Sequence, residues 1–381
     1  MIRPISYASG ITYRLLIKPV LFKFSPDSVH ERMIVFGKWL QRHERFLNIT
    51  KRALRYNNTS FLSQTIHGIT FQNPIGLSAG LDKNIELVPL MHAIGFGYME
   101  GGSITYRHYA GNPRPWFYRL PRSKSLVVHA GLANNGAPRI LKHLMSHSYK
   151  TPSGFPLNIS VAKTNSPEAV SEHDAINDYV NTLKLLKSTD IGSMYTLNIS
   201  CPNTYGGEPF TKPTSLNHLL QAVDQLKLQK PLFIKMPIDL SWDKFYRLLK
   251  VADRHNVAGV TIGNLTKRRL RLDDNLPTSV KGNLSGLPTK HHSTYLIHQT
   301  YAHFNQRFTI IGVGGIFSAK DAYEKICHGA TIVELVTGLI YEGPQLVGNM
   351  NHDLVKLLKK DGYENINQAV GTAHSPNPGS S

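Results

Sequence analysis

From about residue 65 onward the chain alternates between two kinds of apolar pattern. Short, near-continuous apolar runs recur at residues 74–79, 98–104, 156–161, 195–199, 232–236, 259–262, 309–313 and 331–336. Between them lie stretches with helical spacing, as at 174–186, 216–226, 242–253 and 319–328. Strands apolar on both faces and separated by helices predict a parallel sheet covered on both sides. Eight such runs predict an α/β fold of the (β/α)₈ barrel type. An open doubly wound sheet is the alternative, but no Gly-x-Gly-x-x-Gly opens a helix after the first run. The gaps at 105–155 and 265–305 are too long for a bare helix. Long insertions after barrel strands usually build the face where chemistry occurs.

The pattern before residue 65 is different. Residues 11–24 are strongly apolar, interrupted by Arg14, Lys18 and Lys23 and kinked at Pro19, and a second helical stretch rich in Arg, Lys and His runs from Pro26 through Leu47. No stretch reaches the roughly 18 to 20 uninterrupted apolar residues of a spanning helix. Basic, apolar and short is the make-up of a segment lying in a membrane interface, and equally of a helical pair packed on the main domain. The expected organisation is a helical extension at 1–47, a barrel at 48–370 and a disordered Gly/Pro/Ser/His tail at 371–381.

Charge sharpens this picture. Lys and Arg number 43 against 25 Asp and Glu, a net +18, which favours anionic membranes, nucleic acid or anionic ligands without choosing among them. Two cysteines, Cys201 and Cys327, argue against a disulfide framework, and no Cys/His spacing fits a zinc site, so no metal is expected. The N-terminus lacks the cleavage site of a secretory signal and the Arg/Ser-rich make-up of a transit peptide.

Polar groups gather where barrel chemistry belongs, at the C-terminal ends of the runs. Ala79-Gly80-Leu81-Asp82-Lys83 follows the first and Gly101-Gly102-Ser103 ends the second; Asn158 lies in the third and Lys235 in the fifth. Gly263-Asn264, Gly314-Gly315 and Thr337-Gly338 end the last three. The fourth leads into Asn198-Ile199-Ser200-Cys201-Pro202-Asn203, where two amides straddle a thiol. Amides at a buried strand end need partners. They fit a clamp for a planar polar ligand, or turn caps around a small buried Cys.

Gly-rich ends of the last two strands, extended by Gly286, suit a phosphate held by backbone N–H groups. Two inner lysines, Lys83 and Lys235, suit a ring that becomes anionic during turnover, as a flavin does. A thiol with an ordinary pKa near 8.5 becomes a workable base beside it if positive charge lowers that value.

These residues carry a resemblance to the dihydroorotate dehydrogenases, specifically the membrane-associated, quinone-using class. It runs from about Tyr13 to Pro344, most specifically through NPIGLSAGLDKN (73–84), NISCPNT (198–204), GNLSGLP (282–288) and IGVGGIFSAKDAYEKICHGA (311–330). The class resemblance rests on FSPDSVH (24–30) and PWFYRL (115–120). It implies oxidation of dihydroorotate to orotate through FMN, with electrons passed to a membrane quinone in pyrimidine biosynthesis. FMN contacts are implied for Ala79, Gly80, Lys83, Ser103, Asn158, Asn198, Lys235, Gly263, Gly286, Gly314, Gly315, Thr337 and Gly338. Pyrimidine contacts are implied for Lys83, His129, Gly131, Leu132, Asn198, Asn203 and Asn264, quinone contacts for His30 and Arg119, and the role of base for Cys201.

Four positions depart from the family pattern. Cys201 stands where the quinone class has serine, Val128 where a substrate-binding Asn is expected, Leu265 where a hydroxyl residue follows Asn264, and Val336 where Tyr is common. Loss of the bonds at Val128 and Leu265 weakens the grip on substrate by roughly 0.5–1.5 kcal/mol each, with His129 a candidate to compensate. Two other functions stay open: a flavin barrel acting on uracil in RNA or using a soluble acceptor, and a non-catalytic membrane-bound barrel. No RNA-binding domain is appended, and the basic run at 267–271 reads as a solvated loop, so no nucleic-acid partner is expected. The favoured location is the cytoplasmic face of a bacterial inner membrane, ahead of the mitochondrial inner membrane.

Overall fold

The computed structural model describes residues 2–58, 60–146, 152–269 and 272–374. Its centre is a closed barrel of eight parallel strands: β1 (Ile75–Leu77), β2 (Tyr98–Ile104), β3 (Leu157–Val161), β4 (Met194–Asn198), β5 (Leu232–Met236), β6 (Gly259–Ile262), β7 (Thr309–Val313) and β8 (Ile332–Leu335). Each strand pairs with the next in sequence, and β8 closes onto β1. All eight coincide with the apolar runs, as expected where both faces of a strand are buried.

Helices with one apolar stripe cover the outside. Glu172–Thr189, Pro213–Asp224, Trp242–Ala252 and Ala319–Cys327 each bury that stripe, as with Phe245, Leu248 and Leu249. Ser171 and Ser318 cap two of these helices by accepting from the N–H groups of Asp174 and Asp321, a contact typically worth ~1 kcal/mol.

The N-terminal end of the barrel is plugged by Phe71, Tyr98, Met194, Phe233, Ile311 and Ile332, over which lies the hairpin Gln64–Ile66 with Ile69–Phe71. At the opposite end the two long insertions meet. Phe117–Leu120 and Ser125–Val128 from the first pair with Asn283–Leu284 from the second in a three-stranded antiparallel sheet beside the barrel mouth.

The extension is helical from Ile2 to Leu21, with a π-type turn over Tyr13–Ile17 just before Pro19; it resumes at Pro26–Gln41 and Glu44–Leu54. A wide turn relieves the carbonyl that proline would otherwise clash with. The second helical stretch therefore breaks at Arg42-His43 and continues past residue 47. Buried Asp27 fastens it to the barrel mouth by accepting from the N–H groups of Trp116 and Phe117 (2.9 and 3.0 Å). Lys38 reaches Glu86 at 2.5 Å. At the other terminus Thr372–His374 forms one 3₁₀ turn, with the His374 ring stacked on His298. Residues 375–381 of the expected tail, and residues 270 and 271 of the basic run, lie outside the described residues.

Candidate active site

One cavity of about 580 Å³ runs from the C-terminal mouth of the barrel to the underside of the extension. Its two ends differ in chemistry. The barrel end is lined by Lys83, Ser103, Asn198, Cys201, Asn203, Lys235, Asn264 and the glycine turns. The outer end is lined by Val29, His30, Met33, Leu40, Leu87, Phe117 and Arg119.

The glycine turns form the rim on the side of β7 and β8. Among the described residues, the N–H groups of Gly286, Gly315, Thr337 and Gly338 donate to no protein acceptor. Converging free N–H groups make an anion cradle. Ser285 Oγ and Thr337 Oγ1, 2.9 Å apart, add hydroxyls beside it. Gly286 and Gly315 have φ of +74° and +68°, and a Cβ there would press on Lys124 O and on Lys290, both at 2.3 Å. These glycines are therefore required by the turn itself as well as by the opening they border. At Gly80 (φ +113°) a Cβ would meet nothing within 4 Å, so this wall faces open cavity.

Lys83 is the main unpaired charge. The loop carrying it is pinned to β2 by Gly80 N–H to Gly102 O (2.8 Å) and Gly102 N–H to Asp82 O (3.0 Å). Its Nζ is buried without a hydrogen-bond partner and lies 5.1 Å from the Phe117 ring centroid and 5.7 Å from that of Trp116. Burial lowers its pKa to about 8. An ammonium left in this state is completed by an anionic ligand. Lys235 is held differently, donating to Glu100 Oε2 (2.8 Å) and Ser78 Oγ (3.0 Å).

The amides are already tied into the protein. Asn198 Nδ2 donates to Ser103 Oγ (2.8 Å) while its Oδ1 accepts from the Ser200 N–H and Oγ–H. Asn203 donates to Val128 O (2.9 Å) and accepts from Asn283 Nδ2 (2.7 Å). Asn264 donates to Ser200 O and Oγ and accepts from the Leu265 N–H. Asn198 and Asn203 each keep one N–H for a ligand, and Asn264 keeps one lone pair. The clamp is thus built before any ligand arrives.

Cys201 faces the cavity between these amides. Burial pushes its thiol up to about 11; the Asn203 N–H and Lys163 oppose this and are outweighed. Lys163 is itself anchored on Tyr205 O at 2.6 Å. Sequence reasoning made the thiol a workable base only if positive charge lowered its pKa, a condition the structure does not meet because desolvation dominates.

A family model described as Dihydroorotate dehydrogenase matches residues 61–358. The chain belongs to the dihydroorotate dehydrogenase family. It is 33% identical over 373 residues to a dihydroorotate dehydrogenase (quinone) of Nostoc punctiforme, covering 94% of this chain and 97% of that one. A protein of the same name from Sulfurimonas denitrificans is 33% identical over 366 residues, covering 93% and 97%. The crystal structure of the Eimeria tenella enzyme in complex with ferulenol superposes with a TM-score of 0.77 at 26% identity, covering 92% of this chain and 96% of that one. The RNA-directed and non-catalytic readings are not favoured by this membership.

Measured against the dihydroorotate dehydrogenase pattern, the structure brings nearly all the expected residues to one cavity: Ala79, Gly80, Lys83, Ser103, Gly131, Leu132, Asn198, Cys201, Asn203, Lys235, Gly263, Asn264, Gly286, Gly314, Gly315, Thr337 and Gly338, with His30 and Arg119 at the outer end. Two are not among the lining residues. Asn158 is fully buried and pairs with Thr196 Oγ1 (2.8 Å) inside the barrel, and His129 has a buried, unpartnered Nδ1. Val128 and Leu265 do line the cavity, so its wall is apolar there, and His129 is not among the lining residues. Sequence reasoning passed over Glu100, Glu334 and Lys163. The signal for the first two was an ionisable residue inside an otherwise apolar strand.

Proposed function

We propose that this chain oxidises dihydroorotate to orotate with FMN at the barrel end of the cavity and a membrane quinone at its outer end. The observation that carries this reading is the single cavity joining a cradle of free N–H groups and two lysines to an apolar channel under the extension. Gly286, Gly315, Thr337 and Gly338 would hold the FMN phosphate, and Ala79, Gly80, Ser103 and Lys235 its ring. When bound, FMN supplies the two-electron relay between substrate and quinone.

The chain's own residues do the rest. Lys83, with no partner of its own, meets the substrate carboxylate, while Asn198, Asn203 and Asn264 fix the plane of the pyrimidine through their remaining donors and acceptor. Cys201 takes the C5 proton. The low-polarity cavity excludes water and strengthens each of these contacts. His30 donates from Nε2 to Leu81 O (2.8 Å) and packs on Phe117. Arg119 donates to Phe24 O (2.7 Å) and stacks on Phe22. Both tie the extension to the channel, where they meet quinone.

The extension also supplies the membrane contact. Of the eighteen exposed large hydrophobics among the described residues, thirteen fall within residues 7–49, including Leu15, Leu16, Val35 and Ile49. A concentrated patch of this kind is an interaction surface rather than ordinary exposure. Arg14, Lys18, Lys23, Arg32 and Arg45 border it in sequence, suiting anionic lipid on the cytoplasmic face. No helix among the described residues is long and apolar enough to cross a membrane.

The test is the visible spectrum of the purified protein. Flavin absorbance that bleaches anaerobically on adding dihydroorotate, with one orotate formed per flavin, is expected. Flavin that stays oxidised with dihydroorotate would overturn the assignment of substrate.

A further inference from the structure

At the cavity floor lies a cluster whose charges do not balance when all three groups are ionised. Glu100 on β2, Lys235 on β5 and Glu334 on β8 all point into the barrel and are almost wholly removed from solvent. Lys235 and Glu334 line the cavity. Glu100 Oε2 accepts from Lys235 Nζ (2.8 Å) and from the Ala79 N–H (3.1 Å). Its Oε1 has no donor, and neither oxygen of Glu334 has one. The groups within reach of Glu334 are the Glu100 carboxyl, the Ser78 hydroxyl, Lys235 and the Tyr98 phenol, whose own hydrogen goes to Val333 O (3.2 Å). The flanking strands β1 and β7 carry no titratable residue.

Ionised carboxylates only accept hydrogen bonds. Two of them in contact, served by one ammonium and at most the Ser78 hydroxyl, would leave buried acceptor oxygens empty and a net charge of −1 on side chains almost wholly removed from solvent. One proton removes the excess charge and most of the unmet hydrogen bonding. Placed on Glu334, it is shared with the neighbouring Glu100 carboxylate, and the cluster becomes neutral: one carboxylate, one ammonium and one carboxylic acid. The assignment goes to Glu334 because Glu100 already holds the ion pair and a backbone N–H. Burial and the Glu100 carboxylate both push Glu334 well above the usual carboxylate range.

We propose that Glu334 is a carboxylic acid at neutral pH and that the Glu100–Lys235–Glu334 cluster is a neutral, proton-holding floor under the cofactor. Its ionisation at alkaline pH turns the floor negative and opposes electron entry. The first half stands on the protein alone; the second rests on FMN occupying the barrel end. On ionisation the Glu334 O–H bond breaks, the proton leaves to solvent, and the carboxylate remains beside Glu100. Glu334 is a positioning residue, setting the field in which Lys235 meets the ligand.

The experiment has two arms, both read on the purified full chain. Infrared spectroscopy at neutral pH should find a C=O stretch from an unionised carboxyl that disappears in Glu334→Gln. It should also disappear in Glu100→Gln, where Glu334 is left free to ionise against Lys235. In the second arm the flavin midpoint potential is titrated against pH in wild type and Glu334→Gln, which mimics the protonated acid in shape and charge. The two should run together near neutrality and separate as pH rises. Wild type should lose up to about tenfold in its reduction equilibrium per pH unit once Glu334 ionises. A band unchanged in Glu334→Gln, or potentials parallel throughout, overturns the proposal. A protein without flavin overturns the FMN reading, and the infrared arm then still decides the proton.

Discussion

Replacing Cys201 tests the chemistry at its most exposed point, because the structure makes an uncomfortable demand on this thiol. With its pKa pushed up to about 11, the thiolate fraction at pH 8 is about 10⁻³. If the thiolate is the base, anaerobic flavin reduction by dihydroorotate should rise about tenfold per pH unit from pH 7 toward pH 10. Removing a general base typically costs about 10² to 10⁴ in rate. Cys201→Ala should therefore be slower by that order and lose the pH dependence. Cys201→Ser, with a far weaker acid in the same place, should also be impaired and have its optimum moved to higher pH. Lys163→Met offers a finer perturbation. Lys163 lowers the thiol pKa, as the weakest of the influences on it, so its loss should slow reduction at fixed pH by less than about tenfold. The assay is stopped-flow bleaching of the flavin without oxygen. A pH-independent wild-type rate, or a Cys201→Ala enzyme as fast as wild type, would refute the thiolate; Ser200, beside it on Asn198 and Asn264, would be the next candidate.

Three further outcomes follow from the site. Lys83 has its pKa lowered to about 8 and binds a carboxylate only when protonated, so orotate affinity measured by flavin difference spectra should be flat below that pH and fall above it; Lys83→Met should abolish the dependence. Val128→Asn and Leu265→Thr should each strengthen substrate binding by roughly 0.5–1.5 kcal/mol, read as a lower KM with little change in kcat, and an unchanged KM would mean these walls do not face the substrate. Burial and the nearby Lys83 lower His30 from 6.5 to about 4. Between those values the unfolded chain holds more protons than the folded one, so stability should decline as pH falls through this window, by ~3 kcal/mol in all. Urea unfolding of wild type and His30→Asn across that window should show the dependence reduced in the variant.

The eight barrel strands were legible because a parallel strand buried on both faces is apolar throughout and bounded by turn residues. That uniformity also concealed the interior. Without alternation along a strand, nothing told that Asn158 pairs with Thr196 inside the barrel or that Glu100, Lys235 and Glu334 converge from three strands. The small sheets were invisible for another reason: strands such as Gln64–Ile66 and Asn283–Leu284 are too short to show a period. The cavity-lining glycines, Lys83 and the amides around Cys201 were legible because each departs from its apolar surroundings. The direction of the Cys201 shift was not, since it depends on desolvation that only the assembled site imposes.

The central claim is that one cavity passes electrons from a dihydropyrimidine at its barrel end to a quinone under the extension. Double mixing tests it most directly: the flavin is first bleached with dihydroorotate under anaerobic conditions, then a soluble ubiquinone analogue, fumarate or NAD⁺ is added. The account predicts that colour returns rapidly with the quinone and not with the other two. Rapid return with fumarate or NAD⁺, and none with quinone, would contradict it.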